Sequence, residues 1–302
     1  MRTSEPIDCV ILGAGPAGIA CALELHEARL NYVILERAPL LAPQLLEIPN
    51  TLRNFAGGFF NNGAEFQKKL EDLAEKISCK YLLGHDVKEI DLTRRVVIAG
   101  GREFAANAIL IATGCRTRKM GLEREQELGV YYSIEGRTPE FKDRSVAVVG
   151  GGESALLDAL ELSHVAREVY LVHRGQDFRA RPAVVGELLR NKRVRPILKS
   201  QVRSLEGKER LAGIEIVDDS GGTRHLPVDK LVAKIGYVPN SELFKGQLSL
   251  DPAGHIVINQ DGSTSLPRVF AAGDVTSPPY LRISAAVGQG LVAATSICKL
   301  RF

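Results

Sequence analysis

The chain has 302 residues, of which 45% are hydrophobic and 25% charged, with a formal net charge of +3. This composition is typical of a globular protein of about two domains and excludes a disordered or fibrous chain. The charge is spread without a long Lys/Arg block, and no stretch has the length and hydropathy of a membrane span or an N-terminal signal. We therefore expect a cytoplasmic protein with neither nucleic acid nor membrane as partner.

The chain begins with a pattern that predicts a strand, a turn and a helix. Residues 7–13 are an apolar run typical of a buried parallel strand, and Ala17 to Ala28 has helical spacing. Between them, Gly13, Gly15 and Gly18 give the spacing Gly-x-Gly-x-x-Gly. In a dinucleotide-binding unit these glycines make the turn, admit the pyrophosphate and pack helix against strand. The phosphates then lie at the helix N-terminus.

The next predicted strand, Asn31 to Glu36, ends in an acid eighteen residues after Gly18. A carboxylate at this position can accept hydrogen bonds from the ribose 2′-OH of FAD or NAD. The alternative is a solvated acid at a strand end, and the preceding fingerprint favours the ribose role.

Four segments complete the first half of the chain. Thr51 to Gly63 is rich in Gly, Asn and Phe and predicts a loop near a ligand, and Glu65 to Ile77 predicts a helix. Val87 to Gly100 with Arg102 to Ala106 predicts a hairpin, and Ala108 to Gly114 predicts another buried strand.

A second fingerprint, Gly150-Gly151-Gly152-Glu153-Ser154-Ala155, follows the apolar run Val146 to Val149. It predicts the same strand–turn–helix unit, with a helix from Glu153 to Ser163 and a further strand from Val169 to Val172. One such motif is weak evidence, but two on one chain indicate two dinucleotides and electrons that pass between them.

The strand that follows the second fingerprint ends in basic residues, His173 and Arg174, with Arg179 and Arg181 close behind. Basic groups at this position suit a 2′-phosphate and therefore favour NADP(H), with NAD(H) left open. The alternative is a run of surface arginines.

The last third predicts antiparallel strands, a short strand and a helix. Arg203 to Val217 and Arg224 to Lys234 flank the turn Ser220-Gly221-Gly222, and Ser284 to Leu300 predicts a helix. The short strand Val269 to Asp274 ends in Gly273-Asp274, where the acid either binds a flavin ribityl hydroxyl or caps a helix.

The order of these motifs resembles the low-molecular-weight thioredoxin reductase family of flavoproteins over essentially the whole chain. Besides the fingerprints, it rests on Asn54-Phe55-Ala56-Gly57, Ala112-Thr113-Gly114, Gly236-Tyr237-Val238-Pro239-Asn240 and Phe270-Ala271-Ala272-Gly273-Asp274-Val275. The resemblance implies a homodimer and an α/β fold of two doubly wound, Rossmann-like, three-layer nucleotide-binding domains. Residues 1–116 and 244–302 would form the FAD domain, and residues 117–243 the inserted NAD(P) domain.

The resemblance also implies the residues of both sites. Those expected at FAD are Gly13, Gly15, Pro16, Ala17, Gly18, Glu36, Arg37, Gln44, Asn54, Val87, Ala112, Thr113, Gly114, Gly273, Asp274 and Tyr280. Those expected at the pyridine nucleotide are Gly150, Gly152, Glu153, Ser154, Ala155, His173, Arg174, Arg179 and Gly236. The chain departs from the family at Gly175, where a phosphate-binding arginine is expected, and at Tyr280, which places an aromatic ring near the flavin.

The main departure concerns the redox dithiol. The family has a Cys-x-x-Cys between a Gly-Val-x-Tyr stretch and the second fingerprint, and here Ser133 and Gly136 occupy both cysteine positions at the same spacing to Gly150. The five cysteines of the chain are scattered and form no Cys-x-x-Cys, so neither a disulfide framework nor a metal site is expected. We therefore expect no catalytic side chain in the dithiol position.

These observations predict a flavoprotein that passes electrons from NAD(P)H through FAD to an acceptor without a protein dithiol. The acceptor could be a ferredoxin, a thioredoxin-like protein, a quinone, dioxygen or a small disulfide. One alternative is a disulfide reductase that uses Cys115, if Arg116 and Arg118 lower the pKa of its thiol, or the thiols of a partner. Another is a flavin-binding redox sensor with a different nucleotide in the second site.

Overall fold

The computed structural model describes residues 7–48, 51–276, 278 and 281–300. The helices are α1 (Pro16–Glu27), α2 (Gly63–Lys76), α3 (Glu153–Leu162), α4 (Pro182–Arg190) and α5 (Ile283–Cys298). The strands are β1 (Ile7–Leu12), β2 (Tyr32–Leu35), β3 (Tyr81–Leu82), β4 (Val87–Asp91), β5 (Val96–Ala99), β6 (Arg102–Ile111), β7 (Cys115–Thr117), β8 (Ser145–Val149), β9 (Glu168–Val172), β10 (Val194–Ile197), β11 (Ser200–Gly207), β12 (Leu211–Asp218), β13 (Thr223–Leu226), β14 (Lys230–Ala233), β15 (Tyr237–Pro239) and β16 (Val269–Ala271).

The chain divides into two compact units, and the second is inserted in the first. The first unit comprises the residues up to Arg116 and those from Val238 onward, and the second comprises Thr117–Tyr237. The chain returns to the first unit ahead of residue 244, because Phe244 and Leu248 are buried in its core.

The first unit is built on a seven-stranded sheet in the order β3-β2-β1-β6-β5-β4, with β16 also paired to β6. The pairs β1–β2 and β1–β6 are parallel, as in a dinucleotide-binding fold. Residues 9–12 of β1 are fully buried, which explains why this strand is apolar without alternation. The second strand of the predicted hairpin and the buried strand predicted to start at Ala108 are one element, because β6 runs unbroken from Arg102 to Ile111.

The second unit has a four-stranded parallel sheet in the order β10-β9-β8-β14 and a separate antiparallel sheet, β11-β12-β13. The prediction of one antiparallel strand from Arg224 to Lys234 is wrong. Thr223–Leu226 pairs with β12, whereas Lys230–Ala233 pairs in parallel with β8. Pro227 lies between the two strands and lacks the N–H that a continuous ladder would need.

The expected α/β fold with Rossmann-like units is confirmed, and each central sheet is covered on both faces. One face of the first sheet packs against α1, α2 and α5, and the other packs against a cluster that includes Phe244, Leu248 and Ile256. In the second unit α3 and α4 cover one face, and β-strands with Leu211 and Ile214 cover the other. Among the described residues no helix is both long and apolar enough to cross a bilayer.

Candidate functional site: two glycine-rich turns

The first glycine-rich turn connects β1 to α1, and its backbone is packed too closely for side chains at two of its glycines. Gly13 has φ of +105°, and a Cβ there would lie 2.4 Å from Ala112 O. A Cβ at Gly18 would lie 2.0 Å from Gly13 O, so helix and turn touch through backbone alone. Only hydrogen fits at both positions. Pro16 occupies the first turn of the helix, where its missing N–H costs nothing.

Gly15 differs from its neighbours because it faces open space. It is the N-cap of α1, no side chain caps the helix there, and a Cβ on Gly15 would meet no atom within 4 Å. The first N–H groups of α1 therefore have no side-chain cap, and the space beside Gly15 is open to a ligand. This arrangement fits the diphosphate of FAD, which needs N–H donors and close backbone approach.

Glu36 lies directly after β2 and is only 7% exposed. One of its carboxylate oxygens accepts a hydrogen bond from Ala14 N and the other from Ala38 N, both at 2.9 Å. The side chain is thereby fixed against the first turn. A carboxylate oxygen can accept more than one hydrogen bond, so this geometry leaves acceptor capacity for a ribose hydroxyl.

Two further predicted residues are Arg37, which follows this acid directly, and Val87, which lies two residues after His85. Arg37 is exposed, and Val87 is half-buried at the start of β4 against the apolar cluster under the sheet. His85 N donates to Glu36 O at 2.9 Å, which brings the segment before Val87 beside Glu36.

The turn after β6 contains the predicted residues Ala112, Thr113 and Gly114. Thr113 Oγ1 donates to Asn240 O, and Asn240 Nδ2 donates to Thr113 O, each at 2.7 Å. Gly114 has φ of +62°, and a Cβ there would lie 3.7 Å from Gln44 Oε1. Gln44 itself is exposed on a short 3-10 turn. The structure thus brings Gln44 to the carboxyl end of the central strand.

The C-terminal part of the first unit reaches the same turn. Gly273 has φ of +82°, and a Cβ there would lie 3.1 Å from the Ala17 methyl. Asp274 follows at the start of a short 3-10 turn, and burial raises the pKa of its carboxyl to about 6 despite the lowering effect of His255. Asn54 O accepts a hydrogen bond from Ser284 Oγ at 3.3 Å. Tyr280, also predicted at the flavin, lies outside the described residues.

Cys115 lies beside Asp274, but its thiol is not activated. Its side chain is buried, and Sγ donates to Asp274 O at 3.1 Å. Burial and the charge of Asp274 raise the pKa of the Cys115 thiol to about 12, and Arg116 offsets this only in part. The lowered pKa that a reactive Cys115 would need is therefore not found, because desolvation outweighs the lowering effect of Arg116.

The second glycine-rich turn connects β8 to α3 and repeats the steric logic of the first. Gly150 has φ of +149°, and a Cβ there would lie 2.4 Å from Lys234 O and 2.9 Å from the Ala155 methyl. Gly152 is the N-cap of α3 without a side-chain cap, and a Cβ on it would meet nothing within 4 Å. Ser154 is exposed on the first turn of the helix. A second anionic group therefore fits at this helix N-terminus.

His173 covers this turn from the carboxyl end of β9. A Cβ at Gly151 would lie 2.1 Å from the His173 ring, which also stacks on Phe178 with ring centroids 5.5 Å apart. Arg174 and Arg179 are exposed nearby, and Arg179 N donates to Gly151 O at 2.7 Å. His173 and Arg179 therefore both lie against the turn at Gly151, and Arg174 follows His173.

Arg181 stands apart from the other basic residues because it is already paired. Its backbone N–H and its Nε both donate to Glu153 Oε2, and its guanidinium forms an ion pair with Glu153 Oε1 at 2.9 Å. Glu153 therefore already pairs with the charge of Arg181, and a contact between Arg181 and a phosphate stays a prediction. Gly236, with φ of +96°, faces open space after β14.

Sequence reasoning missed an ion pair beside the second turn, formed by Lys234 and Asp158. Lys234 Nζ lies 3.4 Å from Asp158 Oδ2, and both side chains are largely buried, with 17% and 12% exposure. Burial raises the pKa of the Asp158 carboxyl to about 6, and Lys234 opposes this shift. The available signal was a lysine inside the apolar run 231–235.

The segment that replaces the expected dithiol carries no thiol. Ser133 is half-buried, and its Oγ accepts a hydrogen bond from Glu135 N at 3.3 Å. Gly136 is exposed with φ of +64°, a conformation that residues with a Cβ rarely adopt. Before it, Tyr132 donates a hydrogen bond to Glu125 and accepts one from Met120 N.

The sequence of this chain is similar to a known protein family and to several of its members. The model of the pyridine nucleotide-disulphide oxidoreductase family matches residues 7–290. A thioredoxin reductase of Streptomyces clavuligerus is 33% identical, with 96% of this chain and 92% of that protein covered. The 34.2 kDa protein in the rubredoxin operon of Clostridium pasteurianum is 30% identical, with 97% of each covered.

The fold of this chain is also similar to solved structures of thioredoxin and bacillithiol disulfide reductases. The crystal structure of Lactococcus lactis thioredoxin reductase in its FR conformation has a TM-score of 0.88 at 26% identity and covers 97% of this chain and 98% of that one. A bacillithiol disulfide reductase of Staphylococcus aureus has a TM-score of 0.83 at 17% identity, with 97% and 98% covered, and shares the fold.

Proposed function

Since this chain belongs to the pyridine nucleotide-disulphide oxidoreductase family, it is an FAD-dependent NAD(P)H oxidoreductase, and we propose that its flavin passes electrons directly to an acceptor without a protein dithiol. One feature of the sequence carries the proposal: Ser133 and Gly136 occupy the positions at which the resemblance to the thioredoxin reductase family implies two cysteines. A serine hydroxyl cannot form a disulfide, and glycine has no side chain. The left-handed backbone of Gly136 also disfavours any residue with a Cβ.

We assign the first turn to FAD. The N–H groups at the start of α1 would bind the diphosphate across the open space at Gly15, and Glu36 would bind the ribose. Asp274 and Gln44 lie at the carboxyl end of the same sheet and would bind the flavin half. When bound, the two cofactors supply the hydride chemistry, so the protein's task is to place them and exclude water.

The second turn is assigned to the pyridine nucleotide, with NADPH preferred. The N-terminus of α3 would bind the diphosphate, and Arg174 with Arg179 would bind a 2′-phosphate. Gly175 removes one of the basic side chains expected here, and Arg181 is held by Glu153, so the preference should be moderate. NADH is the competing substrate that the assay must include.

The acceptor is a small molecule or a redox protein that can take electrons from flavin itself. Named relatives reduce thioredoxin or lie in a rubredoxin operon, which supports both disulfides and small redox proteins as acceptor classes. Reduction of a disulfide through attack by Cys115 is disfavoured, because a thiol with a pKa of about 12 is protonated at neutral pH.

We also propose a cytoplasmic homodimer. All five cysteines are free, as is usual in a reducing compartment. The helix α5 has no charged residue, and Leu291 and Val292 on it are 47% and 42% exposed. An exposed apolar face of this kind suits a second copy of the chain.

The test is anaerobic stopped-flow reduction with NADPH and NADH, followed by mixing with candidate acceptors. We expect bleaching of the flavin by NADPH, slower bleaching by NADH, and reoxidation at unchanged rate in Cys115→Ser. Failure of both nucleotides to bleach the flavin would contradict the pyridine-nucleotide assignment. Loss of acceptor reduction in Cys115→Ser would contradict direct transfer and favour the thiol route.

A further inference from the structure

The second unit carries a lysine at the point where its sheet reverses direction. The chain runs from β8 through α3 to β9 on one side, whereas β14 lies on the other side of β8. Ligands of open α/β sheets bind at the carboxyl ends of the strands at such a reversal. Lys234 is the first residue after β14, and its N–H donates to Val149 O at 2.7 Å. Its backbone therefore forms a wall of the turn at Gly150.

The side chain of Lys234 is held in place by two long contacts. Its Nζ lies 3.4 Å from Asp158 Oδ2 and donates to Tyr132 O at 3.4 Å. An ammonium has three N–H groups, so these contacts leave donor capacity. Asp158 Oδ2 is buried and accepts no well-aligned hydrogen bond from any described residue. The pair is thus incompletely satisfied within the protein.

A buried ion pair of this kind is poor at stabilising a fold, because desolvation of both charges offsets their attraction. Its presence beside the fingerprint turn points instead to a ligand. The basic residues His173 and Arg174 follow β9, so the adenosine half of a bound nucleotide extends to that side of the turn. The other half must then extend over β14, where Lys234 lies.

We propose that Lys234 binds the nicotinamide half of the pyridine nucleotide through its ammonium group, and that Asp158 is the positioning residue that holds it there. The acceptor atoms available in that half are phosphate, ribose and carboxamide oxygens, which NADPH and NADH share. Lys234 therefore contributes to affinity for both nucleotides and not to the choice between them. This inference rests on the assignment of the second turn to a pyridine nucleotide.

The test is isothermal titration of the FAD-loaded protein with NADP⁺, NAD⁺ and 2′,5′-ADP, which lacks the nicotinamide half. We expect Lys234→Met to weaken NADP⁺ and NAD⁺ alike by about tenfold and 2′,5′-ADP by less than about twofold. Lys234→Arg should recover part of the loss. Asp158→Asn should weaken NADP⁺ by a smaller factor with the same selectivity.

Lys230→Met is the matched control, because Lys230 begins the same strand and donates to Tyr131 Oη at 2.7 Å. It should leave all three affinities unchanged. Unaltered NADP⁺ affinity in Lys234→Met would overturn the inference, and so would an equal loss of 2′,5′-ADP affinity, which indicates a structural role. If Lys234→Met does not fold, Lys234→Gln carries the same expectations. Failure of the wild type to bind any of the three ligands would instead contradict the proposed function.

Discussion

The two glycine-rich turns share their backbone design but differ in what surrounds them. In the first, the acid after the second strand, Glu36, is 7% exposed and fixed by the N–H groups of Ala14 and Ala38. In the second, the corresponding residues His173 and Arg174 lie closer to solvent. The first turn therefore contains a buried, already fixed carboxylate, whereas the second has the exposed guanidinium groups of Arg174 and Arg179 beside it.

This difference suits two ligands with different residence times. A cofactor that stays bound benefits from a rigid, buried site, because fewer groups lose freedom when it binds. A nucleotide that binds and leaves in every turnover benefits from exposed charges that attract it. The difference between the two turns therefore supports the proposal that the first turn binds FAD and the second binds the exchanging nucleotide.

The largest expected effect comes from a Cβ at the third glycine of the first turn. Gly18→Ala places the new atom 2.0 Å from Gly13 O, where it overlaps the backbone, and should lower the free energy of unfolding by about 3 kcal/mol with loss of FAD. Gly150→Ala meets Lys234 O in the second turn, so it should retain FAD and lose reduction by NADPH. Absorbance at 450 nm measures the FAD content of each variant, and anaerobic bleaching measures its reduction by NADPH. If Gly150→Ala lost FAD while Gly18→Ala kept it, the assignment of the two turns to their ligands would be reversed.

Removal of the carboxylate at the first turn should have the next largest effect. Glu36→Ala leaves the N–H groups of Ala14 and Ala38 without their acceptor, which should cost about 2 to 3 kcal/mol of the free energy of unfolding and weaken FAD retention. Glu36→Gln keeps one acceptor oxygen and should lose less. Denaturant unfolding with flavin release checks the order; full retention of FAD in Glu36→Ala would remove the ribose role.

The sequence predicts both turns because their glycine spacing follows from sterics that involve neighbouring residues. Gly13, Gly18 and Gly150 each contact backbone that any chain of this pattern would bring there. The predicted positions of Glu36 at the end of β2 and His173 at the end of β9 depend on the same short-range logic. The roles of these side chains toward cofactors stay predictions.

The features that the sequence did not predict depend on contacts between segments that are distant along the chain. Lys234 looked like the end of an antiparallel strand, and only the break at Pro227 and the pairing of β14 with β8 place it beside Asp158. Likewise, Arg181 has the appearance of a phosphate ligand in sequence, but its partner Glu153 lies twenty-eight residues earlier. Desolvation of Cys115 also arises from tertiary packing, which no local pattern reports.

Asp158 should give the second unit a distinctive pH dependence of stability. Its folded pKa of about 6 lies above the usual 3.8, so the folded protein keeps this proton where the unfolded chain has lost it. The contribution of Asp158 to the free energy of unfolding should therefore fall by about 2 kcal/mol as pH rises from about 4 to 6. Asp158→Asn should lack this decline in denaturant unfolding, and an identical slope in both proteins would contradict the shift.

The smallest expected effect concerns nucleotide choice at the second turn. Arg174→Met should raise KM for NADPH by about tenfold and KM for NADH by less than about twofold, because only NADPH has the 2′-phosphate. Arg181→Met should not discriminate, since the Arg181 guanidinium is bound to Glu153. Steady-state kinetics with both nucleotides decide this, and equal changes in Arg174→Met would place the 2′-phosphate elsewhere.

Direct transfer from flavin is tested most simply by counting electrons. An anaerobic dithionite titration of the FAD-loaded protein measures how many electron equivalents the protein takes up per flavin. With Ser133 and Gly136 in place of a dithiol, we expect about two equivalents, all of them accounted for by bleaching of the flavin. Uptake of about four equivalents, with two consumed before the flavin bleaches fully, would reveal a protein disulfide in redox contact with FAD and contradict the account.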